Sequence, residues 1–300
     1  MTRAQVPKEL RSRPFTTRQA AALGLSRNAL QSAQWRHVFR EVWVHNALED
    51  NQQLRLDAVR LVLGADAFVC GLTAAWIQGV DAHDRHADLV WVGCPIGRRV
   101  RRRTGCLVRE LEIEDDEIVT VRGVRVTRPL RTAFDCARWL TLVEATVVTD
   151  ALGHGGKIRA RDVSAYIDQR PGWRGVRAAR LVVTLMDARS ESPMETRLRL
   201  LLVLAGLPAP QPQVVVTDAA GRFVARLDLA YPDIGLAIEY DGAWHWNQRR
   251  ADDRRRQAVR DLGWDVVVVS AEDYYRTPDE LVAMIATKLG VAITKRTRRP

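Results

Sequence analysis

The chain predicts an α/β protein, α+β overall, in three parts, and three patterns carry that expectation. Near the amino terminus, a helix, a tight turn and a second helix run into two short valine-rich strands. The middle of the chain alternates helical and strand-like runs. The last third reads helix, three strands, helix, strand, helix, enough for one closed α/β domain.

The first part is residues 1–48, a winged helix-turn-helix DNA-binding domain. In FTTRQAAALGLSRNALQSAQW, Thr16 or Thr17 caps the first helix and Gly24 ends it. Ser26 caps a second helix expected over 26–34. The following RHVFREVWVH favours strand through Val38, Val42 and Val44, which makes a wing. A recognition helix in the major groove would offer Arg27, Asn28, Gln31 and Gln34 to base edges, with Arg36 and Arg40 completing the DNA-binding set. These 48 residues hold eight Arg or Lys against two Glu, while the whole chain holds 46 against 36. Much of the excess charge, formally +10, therefore sits where DNA contact is expected. A helical hairpin used only for packing is the competing reading. The pattern F-T-T-x-x-A-x-x-x-G-L-S at 15–26, with the helix and strand pair after it, resembles the winged-helix domain of AbiEi antitoxins of type IV toxin–antitoxin pairs. That resemblance implies DNA as one partner and a cognate toxin protein as another.

The middle part, residues 49–188, reads as a mixed α/β middle domain. LRLDAVRLVLG and VTRPLRTAFDCARWL are helical, while DLVWVGCP and LVRELEIEDDEIVTVRGVRVT read as strands. It is similar to the middle of AbiEi-type proteins, whose R-T-x-x-D element is matched by Arg131, Thr132 and Asp135. The resemblance implies no catalytic residue here, and Arg131 with Asp135 reads as an i, i+4 helix ion pair. His83 and His86 beside Asp81 and Asp84 read as a solvated polar loop, not a metal cluster. GHGGK at 153–157 reads as a turn, since Ile158 stands where a phosphate loop needs Ser or Thr.

Four cysteines without a CxxC pair read as buried thiols of a reducing cytoplasm. With no apolar h-region at the start and no run near the ~20 residues that span a bilayer, the chain is expected to be cytoplasmic and off the membrane.

The third part is residues 189–293, followed by a basic tail at 294–300. SPMETRLRLLLVLAGLP is a helix with Ser192 as cap, Pro193 at its first position and Gly206 at its end. The strands QVVVTD, FVARLDLAYP and GLAIEYDG follow, then the helix RADDRRRQAVRDLGW, the strand WDVVVVS and the helix TPDELVAMIATKLG. Three carboxylates, Asp228, Glu239 and Asp241, interrupt apolar strands. Glu239 and Asp241 share a strand face, because side chains alternate. If the second and third strands pair through the turn at 231–233, Asp228 lies beside Glu239. Either the three face water, or they converge on a hard divalent cation, Mg²⁺ or Mn²⁺, that relieves their repulsion.

The Asp228…Glu239 spacing and the string E-Y-D-G-x-x-H, Glu239 to His245, resemble PD-(D/E)XK nucleases, in particular a group related to the Vsr mismatch endonucleases. Glu195 ahead of the strands, Arg254 and Arg256 on the later helix, and G-W-x-V from Gly263 fit that group. The resemblance implies a restriction-endonuclease-like α/β domain with Asp228, Glu239 and Asp241 as metal ligands. Asp241 stands where many members have Lys. His245 would act as base or leaving-group acid, and Arg254 and Arg256 would grip phosphate. Glu195 is either catalytic or the partner of Ser192 in a capping box. Two functions follow: a metal-dependent DNA endonuclease fused to a DNA-targeting domain, or an AbiEi-like autorepressing antitoxin whose nuclease-like domain no longer cuts.

Overall fold

Two compact units form the chain, residues 1–136 and 137–300. The computed structural model describes residues 7–39, 41–61, 63–64, 66–80, 89–98, 105–121, 123–241 and 249–292. It shows a mixed α/β architecture, α+β overall, with three sheets among the described residues.

The first unit begins with β1 (Phe15–Thr16) and α1 (Thr17–Ala22). Thr16 caps α1 in a full capping box with Gln19, and Gly24, at φ 80°, turns the chain out of it. Ser26 then accepts from the Ala29 N–H, but only one 3-10 turn follows, Ala29–Gln31. The recognition helix expected over 26–34 is thus a single turn. Its last residues are claimed by the sheet: Gln34 O accepts from the Asn46 N–H and Ala33 O from the Asn46 side chain. Those bonds and a turn closed by the Trp35 N–H on the Ser32 carbonyl carry 33–34 into the strand end, and tertiary pairing overrides local helix preference. β2 (Trp35–Phe39) and β3 (Val42–His45) form the wing, in the order β1-β3-β2. Leu10, Phe15, Ala20, Leu25, Leu30, Trp35 and Trp43 pack beneath it.

Helix α2 (Gln52–Arg60) leads to β4 (Phe68–Val69), α3 (Gly71–Ile77), β5 (Val90–Pro95), β6 (Cys106–Leu111), β7 (Ile118–Val121), β8 (Val124–Thr127) and α4 (Pro129–Trp139), within which the first unit ends. The five strands form a mixed sheet in the order β6-β5-β4-β8-β7. Its centre is tight: a Cβ on Gly93 would meet the Phe68 ring at 2.2 Å. Arg131 and Asp135 form the ion pair expected from their spacing, at 2.8 Å, but it is buried inside the unit. Arg131 also donates to Glu117 and to the Glu112 carbonyl, each at 2.8 Å, so this guanidinium ties α4 to the loop before β7.

The second unit opens with α5 (Leu142–His154), α6 (Ala160–Asp168) and α7 (Val176–Leu185). GHGGK forms the expected turn at the end of α5. Then come α8 (Pro193–Leu204), β9 (Gln211–Thr217), β10 (Phe223–Tyr231), β11 (Leu236–Asp241), α9 (Arg249–Asp261), β12 (Asp265–Ser270), α10 (Ala271–Arg276) and α11 (Pro278–Leu289). The sheet runs β12-β11-β10-β9, with β12 parallel to β11 and the rest antiparallel. Leu229, Ile238, Val267 and Val269 pack toward Leu198 and Leu202 of α8 and Ile285 of α11. Ala237 packs with Val259 of α9. Because α8 is also covered by α5, charges on it are buried. Arg199 donates to Asp150 at 2.7 Å, and Arg197 grips Glu144 through two bonds.

Candidate functional site

Strand pairing places Asp228 against β11. Leu229 stands opposite Ile238 across β10 and β11, and one step further along stand Asp228 and Glu239. Asp228 accepts from the Tyr240 N–H at 3.0 Å, so it sits against the backbone that carries Glu239. Its carboxyl is pushed up to about 6. Burial is the main cause, and the charges of Glu195 and Glu239 add to it against the Tyr240 bond and Arg255. Glu195 therefore reaches the same neighbourhood from the first turn of α8.

Glu195 also has a structural task. Ser192 accepts from the Glu195 N–H at 3.2 Å, which is half of a capping box. Its carboxylate returns to the Glu191 N–H at 2.9 Å, one residue beyond the cap, and takes a second bond from Gln213 Nε2 at 2.7 Å. Gln213 belongs to no motif of the sequence. It holds φ 57° inside β9, a left-handed conformation costly for a non-glycine residue. Nothing in local sequence marks that strain, since a strand rich in valine predicts extended backbone throughout.

Glu239 is almost wholly buried, and two guanidiniums from α9 hold it. Arg255 donates to both carboxylate oxygens, at 3.0 and 3.2 Å, and Arg256 Nε adds a third bond at 3.2 Å. Arg256 also lies 3.5 Å from Asp241, whose side chain is about half exposed at the strand end. Burial works against a charged Arg256, but the Glu239 bond and the charges of Asp241 and Glu239 outweigh it and raise its pKa. Of the two arginines expected to grip phosphate, Arg256 is committed to these carboxylates and Arg254 lies on the exposed side of α9. Arg255, which the sequence reading passed over, completes the clamp. A buried Glu in β11 followed by an arginine-rich helix is the signal that could have found it.

In this arrangement the Glu239 oxygens that Mg²⁺ or Mn²⁺ would take face arginine. Both oxygens of Glu239 already accept from arginine, and among the described residues no group of three or more His, Cys, Asp or Glu is placed to hold a metal ion. Two guanidiniums offset the charge of Glu239. His245 lies outside the described residues, as do Arg40 and the His83/His86 loop.

In the first unit Arg27, Asn28, Gln31 and Gln34 are all exposed along the 3-10 turn and the residues around it. Arg36 is not available in the same way. It donates to the Leu48 carbonyl at 2.8 Å and lies 3.7 Å from Asp50, tying the wing to the following segment. In the second unit, Arg138 lies over Trp139 and Trp173, and Arg170 over Tyr166 and Trp173, so aromatic rings fix two guanidiniums near the exposed Arg174 and Arg177.

Residues 67–184 match the AbiEi antitoxin C-terminal domain. Over 253 residues the chain is 32% identical to two uncharacterized proteins of Mycobacterium tuberculosis, Rv2248 of strain H37Rv and MT2308 of strain CDC 1551. Each alignment covers 83% of this chain and 91% of the relative. The chain belongs to their family. The family match at 67–184 bears out the antitoxin-like half of the resemblance and leaves the Vsr-like half without support. The crystal structure of the RV2827C protein from Mycobacterium tuberculosis aligns with 67% of this chain and 79% of its own, at 14% identity and a TM-score of 0.39, too low to carry an argument. Among the described residues no helix is long and apolar enough to cross a membrane.

Proposed function

We propose that this protein is an AbiEi-type antitoxin that represses its own promoter, and that its nuclease-like domain does not cut DNA. The AbiEi antitoxin match over 67–184 carries this reading. The net charge of +10 and the exposed Arg27, Asn28, Gln31 and Gln34 support DNA as one partner. A toxin encoded beside it is the other partner. The arginine clamp on Glu239 supports a domain retained for structure.

Gel-shift titration with DNA upstream of the gene tests the DNA arm. Specific binding that weakens steeply with salt and persists in Glu239→Gln is expected. Equal affinity for upstream and unrelated DNA would rule out a promoter-specific repressor. The toxin arm is tested by expressing the neighbouring gene alone and together with this one, where growth arrest relieved only by co-expression is expected.

A metal-dependent endodeoxyribonuclease is the second reading, favoured by Asp228, Glu239 and Glu195 occupying one neighbourhood. It requires Arg255 and Arg256 to leave Glu239 before Mg²⁺ or Mn²⁺ could be held. Nicking of supercoiled plasmid in either metal, abolished by Asp228→Ala, would establish it.

A further inference from the structure

We infer that Arg255 and Arg256 are the permanent counter-cations of the carboxylate centre in the second unit, and that removing them would turn a metal-indifferent site into one that takes a divalent ion. The inference rests on the reading that this domain does not cut DNA.

Glu239 lies in an inner strand of the sheet, 2% exposed, where an uncompensated charge costs several kcal/mol. Arg255 and Arg256 compensate it with three charge-assisted bonds of 3.0–3.2 Å that engage both oxygens. A hard divalent ion would need the same oxygens at about 2.0–2.6 Å, within a few ångströms of two positive guanidiniums. The two kinds of cation therefore compete for the same oxygens and repel each other.

The other carboxylates of the neighbourhood are also supplied by the chain. Glu195 takes the Gln213 amide and the Glu191 N–H, Asp228 takes the Tyr240 N–H, and Asp241 faces Arg256. The strained backbone of Gln213 fits this scheme, because it turns a neutral donor onto Glu195. Asp241 fits it too. Its positive neighbour comes from α9, as Arg256. Each of these carboxylates thus has a hydrogen-bond or ion-pair partner from the backbone or side chains of the chain itself.

Electron paramagnetic resonance of Mn²⁺ mixed with the 300-residue protein tests the inference without any variant. The wild-type chain should leave the free-Mn²⁺ signal unchanged. Stoichiometric loss of that signal, restored by Asp228→Asn, would overturn the proposal. In the double variant Arg255→Gln/Arg256→Gln, Mn²⁺ affinity should rise on the order of tenfold or more, and a further Asp228→Asn should remove the gain. A double variant that is folded by circular dichroism yet binds Mn²⁺ no better than wild type would also overturn it. Plasmid cleavage and promoter binding are measured separately, so failure of the antitoxin reading would be seen apart from failure of the arginine clamp.

Discussion

Asp150 shows how one buried side chain can set both stability and its pH dependence. It accepts from Arg199 at 2.7 Å, from Thr196 at 2.9 Å and from the Asp187 N–H at 2.7 Å. Burial nevertheless dominates and pushes its carboxyl up to about 6, with Arg199 the largest opposing influence. Asp150→Ala would strand Arg199 without its carboxylate, a loss of about 3–5 kcal/mol by the rule for broken buried pairs. Urea denaturation at neutral pH measures it. The pH sign follows from linkage. Between the ordinary 3.8 and about 6, the native state holds a proton that the unfolded state has released. Stability from this group therefore falls as pH rises through that window and is level above it. The difference between wild type and Asp150→Asn should show this fall, and a difference that is flat from pH 4 to 7 would refute the assignment. Glycine 93 makes a steric prediction of a different kind. Gly93→Ala must displace the Phe68 ring, at a cost of about 1–3 kcal/mol read from the thermal midpoint.

At the scale of elements, α8 explains most of what is unusual in the second unit. It is covered on one side by α5 and on the other by the sheet, so Leu198 and Leu202 meet the sheet while Arg197 and Arg199 meet α5. Its start is fixed by Ser192, Pro193 and the bonds around Glu195. Ser192→Ala should cost about 1 kcal/mol of unfolding free energy, the usual value for a lost N-cap. A loss several times larger would mean that the cap also organises Glu195 toward Gln213. In the first unit, the 3-10 turn at Ala29–Gln31 takes the place of a recognition helix. Under the proposed promoter binding, the exposed Arg27, Asn28 and Gln31 in and before it are the base readers. Arg27→Ala with Gln31→Ala should weaken upstream-DNA binding more than binding to random duplex, with about 1–3 kcal/mol of lost discrimination per base contact. Equal weakening on both DNAs would reassign these residues to phosphate.

For the whole molecule, charge sets the expected behaviour. A chain at +10 should bind any DNA weakly, and its affinity should drop as salt rises because counterions are released from the phosphates. If Arg255 and Arg256 are the counter-cations of Glu239, as proposed, EDTA should change neither this binding nor the thermal midpoint. A midpoint that falls on chelation would contradict that balance.

The sequence by itself determined the local plan. Thr16 and Gln19, Ser192 and Pro193, Gly206, and the alternation through β10 and β11 located helix starts, stops and strand faces, because caps and side-chain periods act within a few residues. It also led to the pairing of β10 with β11 that sets Asp228 against the backbone of Tyr240, since antiparallel pairing through a short turn leaves little choice of register. Only the tertiary structure decided what those carboxylates meet. The shortening of the recognition helix came from Asn46, twelve residues beyond Gln34, and the clamp on Glu239 came from a helix sixteen residues onward. Gln213 turned toward Glu195 across a helix–strand junction. Such long-range partners set the charge balance of a buried site, and a pattern read along the chain carries no distance between elements.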